Sequence, residues 1–83
     1  MSIKVDQGKV AEGAKEYILQ AIAEGYEVKY KLENGYYWHK AFEKENRRVW
    51  QIREGWQTAN LIDGRYTNHE KFDNLANALK RGL

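Results

Sequence analysis

The feature that most constrains the fold is a change in the spacing of hydrophobic residues after Gly25. Residues 8–24 carry apolar side chains at helical spacing, whereas residues 26–33 alternate strictly between apolar and charged side chains. Such alternation is the pattern of a β-strand with one buried face. The turn signal Asn34-Gly35 follows at once and predicts that the chain reverses into a second antiparallel strand. The apolar members of the first strand are Tyr26, Val28, Tyr30 and Leu32.

The length of this turn decides which face of the sheet the following side chains occupy, because a shift of one residue moves every side chain to the opposite face. A two-residue turn places Trp38 in solvent beside Lys31, whereas a three-residue loop over residues 33–35 places it in the core. We favour the three-residue loop, since with a second three-residue loop over residues 44–46 it gathers the large side chains on one face. The predicted core face comprises Tyr26, Val28, Tyr30, Leu32, Tyr36, Trp38, Phe42, Trp50 and Ile52.

Helical patterns bracket the strands. Residues 8–24 form one apolar stripe, with Asp6 as the expected N-cap and Gly25 as the C-cap glycine. The motif TNHE at residues 67–70 matches a capping box and precedes apolar residues at helical spacing, which predicts a second helix ended by Gly82.

A third strand is predicted at about residues 47–54, and a short fourth strand fits residues 56–62 before the turn signal Asp63-Gly64. We therefore predict one small α+β domain over residues 1–83. It has an N-terminal helix, a three- or four-stranded antiparallel meander sheet and a C-terminal helix, with the helices packed on one sheet face.

Composition narrows the environment and the class of partner. The chain has no cysteine and a formal net charge of +2, so it needs neither disulfide bonds nor a strongly anionic partner. Its apolar runs are too short to span a membrane, and MSIKVDQGKV at the N-terminus lacks the apolar segment of a signal peptide. We expect a cytoplasmic protein with no membrane partner.

The sequence shows no catalytic, metal or cofactor motif. Its two histidines lie on different predicted elements without any thiol, and Ser2 is the only serine, which disfavours a metal site and a serine nucleophile. The glycines are spread singly, so no phosphate-cradling loop can be assembled. We therefore expect a non-enzymatic protein without cofactors.

The outer face of the predicted sheet is the main candidate site. Basic side chains around an aromatic ring can hold phosphates and stack a base. We predict a small nucleic-acid-binding or regulatory protein that uses Lys29, Lys31, Tyr37, His39, Arg47 and Arg53.

The alternative is a protein-binding module, such as an inhibitor or adaptor of a larger protein. Aromatic and arginine side chains concentrate binding energy at protein interfaces, and the candidates are Tyr37, Trp56 and Tyr66. Formation of a homodimer through an edge strand is compatible with both hypotheses.

The order helix, three strands, helix is similar to that of double-stranded RNA-binding domains, whose final helix the stretch NLANALKRG resembles. The lysine run of that family is replaced here by His69, Glu70, Lys71 and Phe72, so we assign no membership and transfer no functional residue. In size and lack of catalytic motifs, the chain also resembles accessory proteins of phages and plasmids.

Overall fold

The computed structural model describes residues 7–80 as two α-helices and a five-stranded sheet. The sheet is an antiparallel meander in which each strand pairs with the next one along the chain. The predicted α+β class is confirmed, with five strands instead of three or four, while Asp6 and Gly82 lie outside the described residues. After a short 3₁₀ helix, Gln7–Lys9, the elements are α1 (Glu12–Ala23), β1 (Glu27–Glu33), β2 (Tyr36–Lys44), β3 (Arg47–Ile52), β4 (Gly55–Ile62), β5 (Arg65–Phe72) and α2 (Leu75–Lys80).

Helix α1 begins later than its apolar spacing predicts, because the residues before it pair with β2. The amide of Ala11 donates a hydrogen bond to the carbonyl of Tyr37 at 3.1 Å. Gly25 follows the helix with φ of 87°, the left-handed conformation expected of a C-cap glycine. Among the described residues, neither helix has the length and hydrophobicity needed to cross a membrane. The apolar stripe of α1 buries Ala14, Ile18 and Ala21.

The first hairpin has a two-residue turn, so the predicted three-residue loop is wrong. Asn34 and Gly35 have φ values of 54° and 81°, and Lys31 pairs directly with Trp38. Two consecutive residues with positive φ form a turn whose twist matches the strands it joins, and Asn-Gly is the preferred dipeptide for it. Tyr36 and Trp38, both predicted in the core, are consequently exposed, to 54% and 37%. The predicted core position of Leu32 is also wrong, since its side chain is 64% exposed at the end of β1.

A β-bulge at Lys40 separates two registers within the same hairpin. Tyr30 pairs with His39, whereas Val28 pairs with Phe42, which leaves one extra residue in β2. Because the bulge reverses the alternation of side chains, His39 and Phe42 both lie on the core side and are buried. The predicted core position of Phe42 is therefore confirmed, but the register that led to it is wrong.

The second hairpin also turns in two residues, 45–46, and not three. Phe42 then pairs with Val49, which is fully buried. Since side chains alternate along a strand, Trp50 and Ile52 lie on the opposite face, and their predicted place in the core is wrong. The cause is again the turn length, which shifts β3 by one residue.

The C-terminal region contains a fifth strand that the sequence analysis assigned to a helix. Residues 63–64 form a turn with positive φ at both positions, and Thr58 of β4 pairs with Glu70 of β5. The predicted fourth strand is confirmed, but the predicted helix start at Thr67 is wrong, because residues 65–72 complete the backbone hydrogen bonds of β4. Helix α2 instead begins after Asn74, whose side-chain oxygen accepts a hydrogen bond from the Asn77 amide at 2.9 Å.

Residues from both helices and from the strands belong to one cluster of buried residues. Small residues of α1 and α2 lie beside large side chains of the strands, so backbone and rings approach closely. Trp56 is only 3% exposed and stacks near Phe42 with ring centroids 6.0 Å apart. The buried cluster comprises Ala11, Ala14, Ile18, Ala21, Tyr26, Phe42, Val49, Trp56, Leu75, Ala78 and Leu79.

Arg47 lies within this core and stabilises the C-terminal end of α2. Its Nη2 donates to the carbonyl of Ala78 at 2.6 Å, and its Nε donates to the hydroxyl of Tyr26 at 3.1 Å. That hydroxyl in turn donates to the carbonyl of Leu79 at 2.7 Å. The last carbonyls of a helix have no partner within it, so these two side chains satisfy groups that would otherwise be buried without hydrogen bonds.

Candidate functional site

Aromatic and basic side chains of several strands lie on the sheet face opposite the core. Tyr36 and Trp38 of β2 alternate with core-facing residues, and Tyr66 of β5, opposite Leu61, is 43% exposed. Strand β3 contributes Trp50 to the same face. We define the outer face by Lys31, Tyr36, Trp38, Lys40, Arg48, Trp50, Tyr66 and His69.

A pocket of about 330 Å³ lies in this face and is lined by side chains from three strands. Strand β4 runs between β3 and β5 and carries the small residue Ala59 opposite Arg48. Ala59 is fully buried although it lies on the outer face, which shows that larger neighbours close over it. The pocket is lined by Lys40, Arg48, Trp50, Tyr66 and His69.

Contacts among the pocket residues fix the position of Arg48. Its Nη1 donates a hydrogen bond to the hydroxyl of Tyr66 at 2.9 Å, and its guanidinium lies 5.6 Å from the centre of the Tyr66 ring. Trp50 and His69 meet edge to face, with ring centroids 6.1 Å apart. The arginine and the aromatic rings are therefore oriented by contacts with one another.

Charge is distributed unevenly over the outer face. On β1, Lys29 lies 3.1 Å from Glu27, and Lys31 lies 3.6 Å from Glu33, so neighbouring carboxylates offset the lysine charges. At the pocket, Arg48 lies 3.8 Å from Glu43. Lys40 forms no ion pair with any residue in the described range 7–80. The charge of Lys40 at the pocket is therefore less compensated than the lysine charges of β1.

The six residues predicted for nucleic-acid binding do not form one surface. Lys29 and Lys31 lie on the outer face, as expected. The predicted exposure of three others is wrong, because the shifted registers turn them towards the core: Tyr37 is partly buried, His39 is 7% exposed and Arg47 is 8% exposed. Arg53 is exposed, in the turn between β3 and β4.

The residues predicted for protein binding are also separated. Trp56 lies in the core, so it cannot serve as an exposed anchor, and Tyr37 packs edge to face against Tyr30. Tyr66 alone among the three is exposed on the outer face. Its exposure agrees with its place near the turn at residues 63–64, and its role in binding a protein stays a prediction.

His39 is enclosed by aromatic rings of the core. Its ring lies 5.0 Å from Phe42, 5.4 Å from Trp56 and 5.6 Å from Tyr17, measured between centroids. Within the described residues, its Nδ1 atom has no hydrogen-bond partner. Burial, and to a smaller extent the charge of Lys31, lowers the pKa of His39 below its usual value. The side chain is therefore held neutral and is inaccessible to a phosphate.

Several residues of the outer face were missed by the sequence analysis. Trp38 and Trp50 were assigned to the core, and Lys40 and Arg48 were not selected at all. The signal for Trp38 was the preference of Asn-Gly for a two-residue turn. The position of Lys40 had no sequence signal, because a bulge depends on pairing with another strand.

Comparisons with known proteins assign no family to this chain. No family model, curated protein or solved structure matches the chain. Residues 7–80 also contain no group of three or more histidine, cysteine, aspartate or glutamate side chains placed to hold a metal ion.

Proposed function

We propose that the protein is a non-enzymatic binder of single-stranded nucleic acid and that its outer face is the binding surface. The observation that carries this proposal is the exposure of Trp38 directly beside Lys31. A ring next to a cation provides both contacts that a nucleotide needs, stacking for the base and charge for the phosphate.

The arrangement of the aromatic rings favours a single strand over a duplex. Bases in a duplex already stack on one another inside the helix, whereas unpaired bases can stack on exposed rings. Tyr36 and Trp38 lie on the same face of β2, and Lys40 follows two residues later beside the pocket. A strand that runs along β2 from Tyr36 towards the pocket would therefore meet aromatic rings first and then the charge of Lys40.

The modest net charge indicates that stacking contributes more to affinity than charge does. The lysines of β1 are offset by Glu27 and Glu33, and the chain carries only +2 overall. Since each phosphate contact makes binding more sensitive to salt, we expect a shallow dependence on salt with a large contribution from the rings. A cytoplasmic regulatory role, for example in a phage or plasmid, fits such sequence-tolerant binding.

The test is fluorescence anisotropy with a labelled single-stranded oligonucleotide of about 12 nucleotides, within the site sizes usual for such proteins. Trp38→Ala should weaken binding about tenfold or more, because stacking of one base contributes about 1–3 kcal/mol. The matched control is Leu19→Ala, which removes an apolar side chain that is 66% exposed on α1 and should leave affinity unchanged.

Two results would contradict the proposal. One is the absence of binding to single strands at low salt, and the other is equal affinity for the Trp38 and Leu19 variants. In the first case, recognition of a protein through Tyr66 and the neighbouring exposed residues Leu61 and Ile62 becomes the better hypothesis.

A further inference from the structure

We infer that the outer-face pocket is a subsite for one nucleotide unit, in which Lys40 and Arg48 bind its phosphate and Trp50 and Tyr66 contact its base. This inference deepens the proposed function and rests on it. The inference names which residues contact the phosphate and which contact the base, whereas stacking on Trp38 alone would not distinguish one nucleotide from the next.

The first support is that two β-bulges build the pocket. Lys40 is the extra residue of β2, between the pairs Tyr30 with His39 and Lys29 with Ala41. In β5, residues 68–69 lie opposite Ala59 alone, and Asn68 has a φ of 56°. Bulges redirect side chains and are enriched next to functional sites. Each of the two bulges in this sheet supplies one pocket residue, Lys40 from the first and His69 from the second.

The second support is the chemistry of the lining. Lys40 makes no ion pair within the described residues, and Arg48 is oriented by the Tyr66 hydroxyl at 2.9 Å. Two cations converging on one cavity favour an anion, and an arginine held in place is well suited to a phosphate. Glu43, 3.8 Å from Arg48, offsets part of this charge, which fits one phosphate better than a polyanion.

The third support is the size and the aromatic lining of the cavity. A volume of about 330 Å³ lies at the lower end of the range for small-molecule sites. This volume suits one base with its sugar and phosphate. Trp50 and His69 meet edge to face, so the indole is held in place as a surface for a planar base.

The same chemistry can come from a free nucleotide or from a nucleotide within a strand, and two titrations separate these sources. Adenosine monophosphate and adenosine are each titrated while tryptophan fluorescence is recorded, and the labelled oligonucleotide is titrated separately. The pocket variant is Lys40→Ala. The control is Lys71→Ala, which removes an exposed lysine opposite Gln57 on the same face but outside the pocket.

Adenosine monophosphate should bind at least about tenfold more tightly than adenosine, because its phosphate can form charge-assisted hydrogen bonds with Lys40 and Arg48. Because Arg48 remains, Lys40→Ala should reduce this difference without removing it and should weaken oligonucleotide binding, whereas Lys71→Ala should preserve the difference. Trp50→Leu, which keeps an apolar side chain, should weaken both ligands.

The outcomes distinguish this inference from the proposed function. If the oligonucleotide binds but Lys40→Ala behaves like Lys71→Ala with every ligand, the inference is wrong and the proposed function stands. If the oligonucleotide does not bind but the preference for the monophosphate depends on Lys40, the proposed function is wrong and the pocket is a site for a free nucleotide. Equal binding of the monophosphate and the nucleoside by the unmodified protein overturns the inference.

Discussion

Arg47 and Arg48 are adjacent in β3 but lie on opposite faces of the sheet and have different surroundings. Arg47 is 8% exposed and donates to the carbonyl of Ala78 and to the hydroxyl of Tyr26. Arg48 is half-buried and contacts Tyr66 and Glu43 at the rim of a cavity. The same type of side chain therefore completes the fold on one face and lines a cavity on the other.

The contrast extends to the other polar and aromatic groups of the two faces. On the core side, the Tyr26 hydroxyl is enclosed and donates to the Leu79 carbonyl at 2.7 Å. On the outer face, the Tyr66 hydroxyl accepts from Arg48 at 2.9 Å in contact with solvent. Buried polar groups cost stability when their partners are lost, whereas exposed ones regain water. Matched substitutions on the two faces should therefore separate stability from binding.

The largest expected change in stability comes from substituting Arg47, and the matched substitution is at Arg48. Arg47→Ala should lower the free energy of unfolding by about 3 kcal/mol, because it leaves the Ala78 carbonyl and the Tyr26 hydroxyl without their donor in a buried site. Arg48→Ala should lower it by less than about 1 kcal/mol, since its ion pair is partly solvated. Urea unfolding followed by circular dichroism measures both values. Equal losses for the two variants would contradict the assignment of the faces.

A smaller effect is expected for the two tyrosine hydroxyl groups. Tyr26→Phe should lower the free energy of unfolding by about 1–2 kcal/mol, because it removes a buried hydrogen bond to α2 and one acceptor for Arg47. Tyr66→Phe should change stability by less than about 0.5 kcal/mol, as is usual for surface substitutions. It should instead weaken nucleotide binding, because Arg48 loses the group that orients it. A larger loss of stability for Tyr66→Phe would reverse the roles of the two faces.

The smallest effect concerns His39 and depends on pH. Its pKa is lowered in the folded protein, chiefly by burial, so the unfolded chain takes up the proton first as pH falls. Stability should be highest above the unfolded pKa of about 6.5 and should decline as pH falls below it. His39→Phe should flatten this decline. At pH 7 it should be neutral or stabilising, because it removes the buried Nδ1 atom, which has no hydrogen-bond partner among residues 7–80. Thermal unfolding of both proteins between about pH 5 and 8 measures this decline in stability. The same decline in the variant as in the unmodified protein would contradict the role of His39.

The sequence predicted the fold class because its signals are local. Alternation over residues 26–33 and the dipeptides at residues 34–35 and 63–64 depend only on neighbouring positions, and each lies where a strand or turn was expected. Strand β5 was missed for two reasons. Its sequence is polar, because it pairs with β4 through backbone hydrogen bonds and needs no apolar pattern, and its TNHE segment also fits a helix cap.

The candidate site was harder to predict, because faces depend on register. Because the first turn has two residues and not three, Trp38 lies on the outer face where Tyr37 was predicted. The two-residue second turn likewise places Trp50 on the outer face in place of Gln51. The bulge at Lys40 then restored Phe42 to the core. A bulge is decided by pairing between strands and by core packing, so no local pattern in β2 reveals it.

The three tryptophans offer the most direct test of the central claim, that the outer face binds and the core face does not. Trp38 and Trp50 lie on the outer face, whereas Trp56 is buried in the core. Each indole N–H gives its own cross-peak in a ¹⁵N–¹H NMR spectrum, which can be followed as a single-stranded oligonucleotide is added. We predict that the signals of Trp38 and Trp50 shift while that of Trp56 stays in place. A shift confined to Trp56, or no shift of any indole signal at saturating oligonucleotide, would contradict the account.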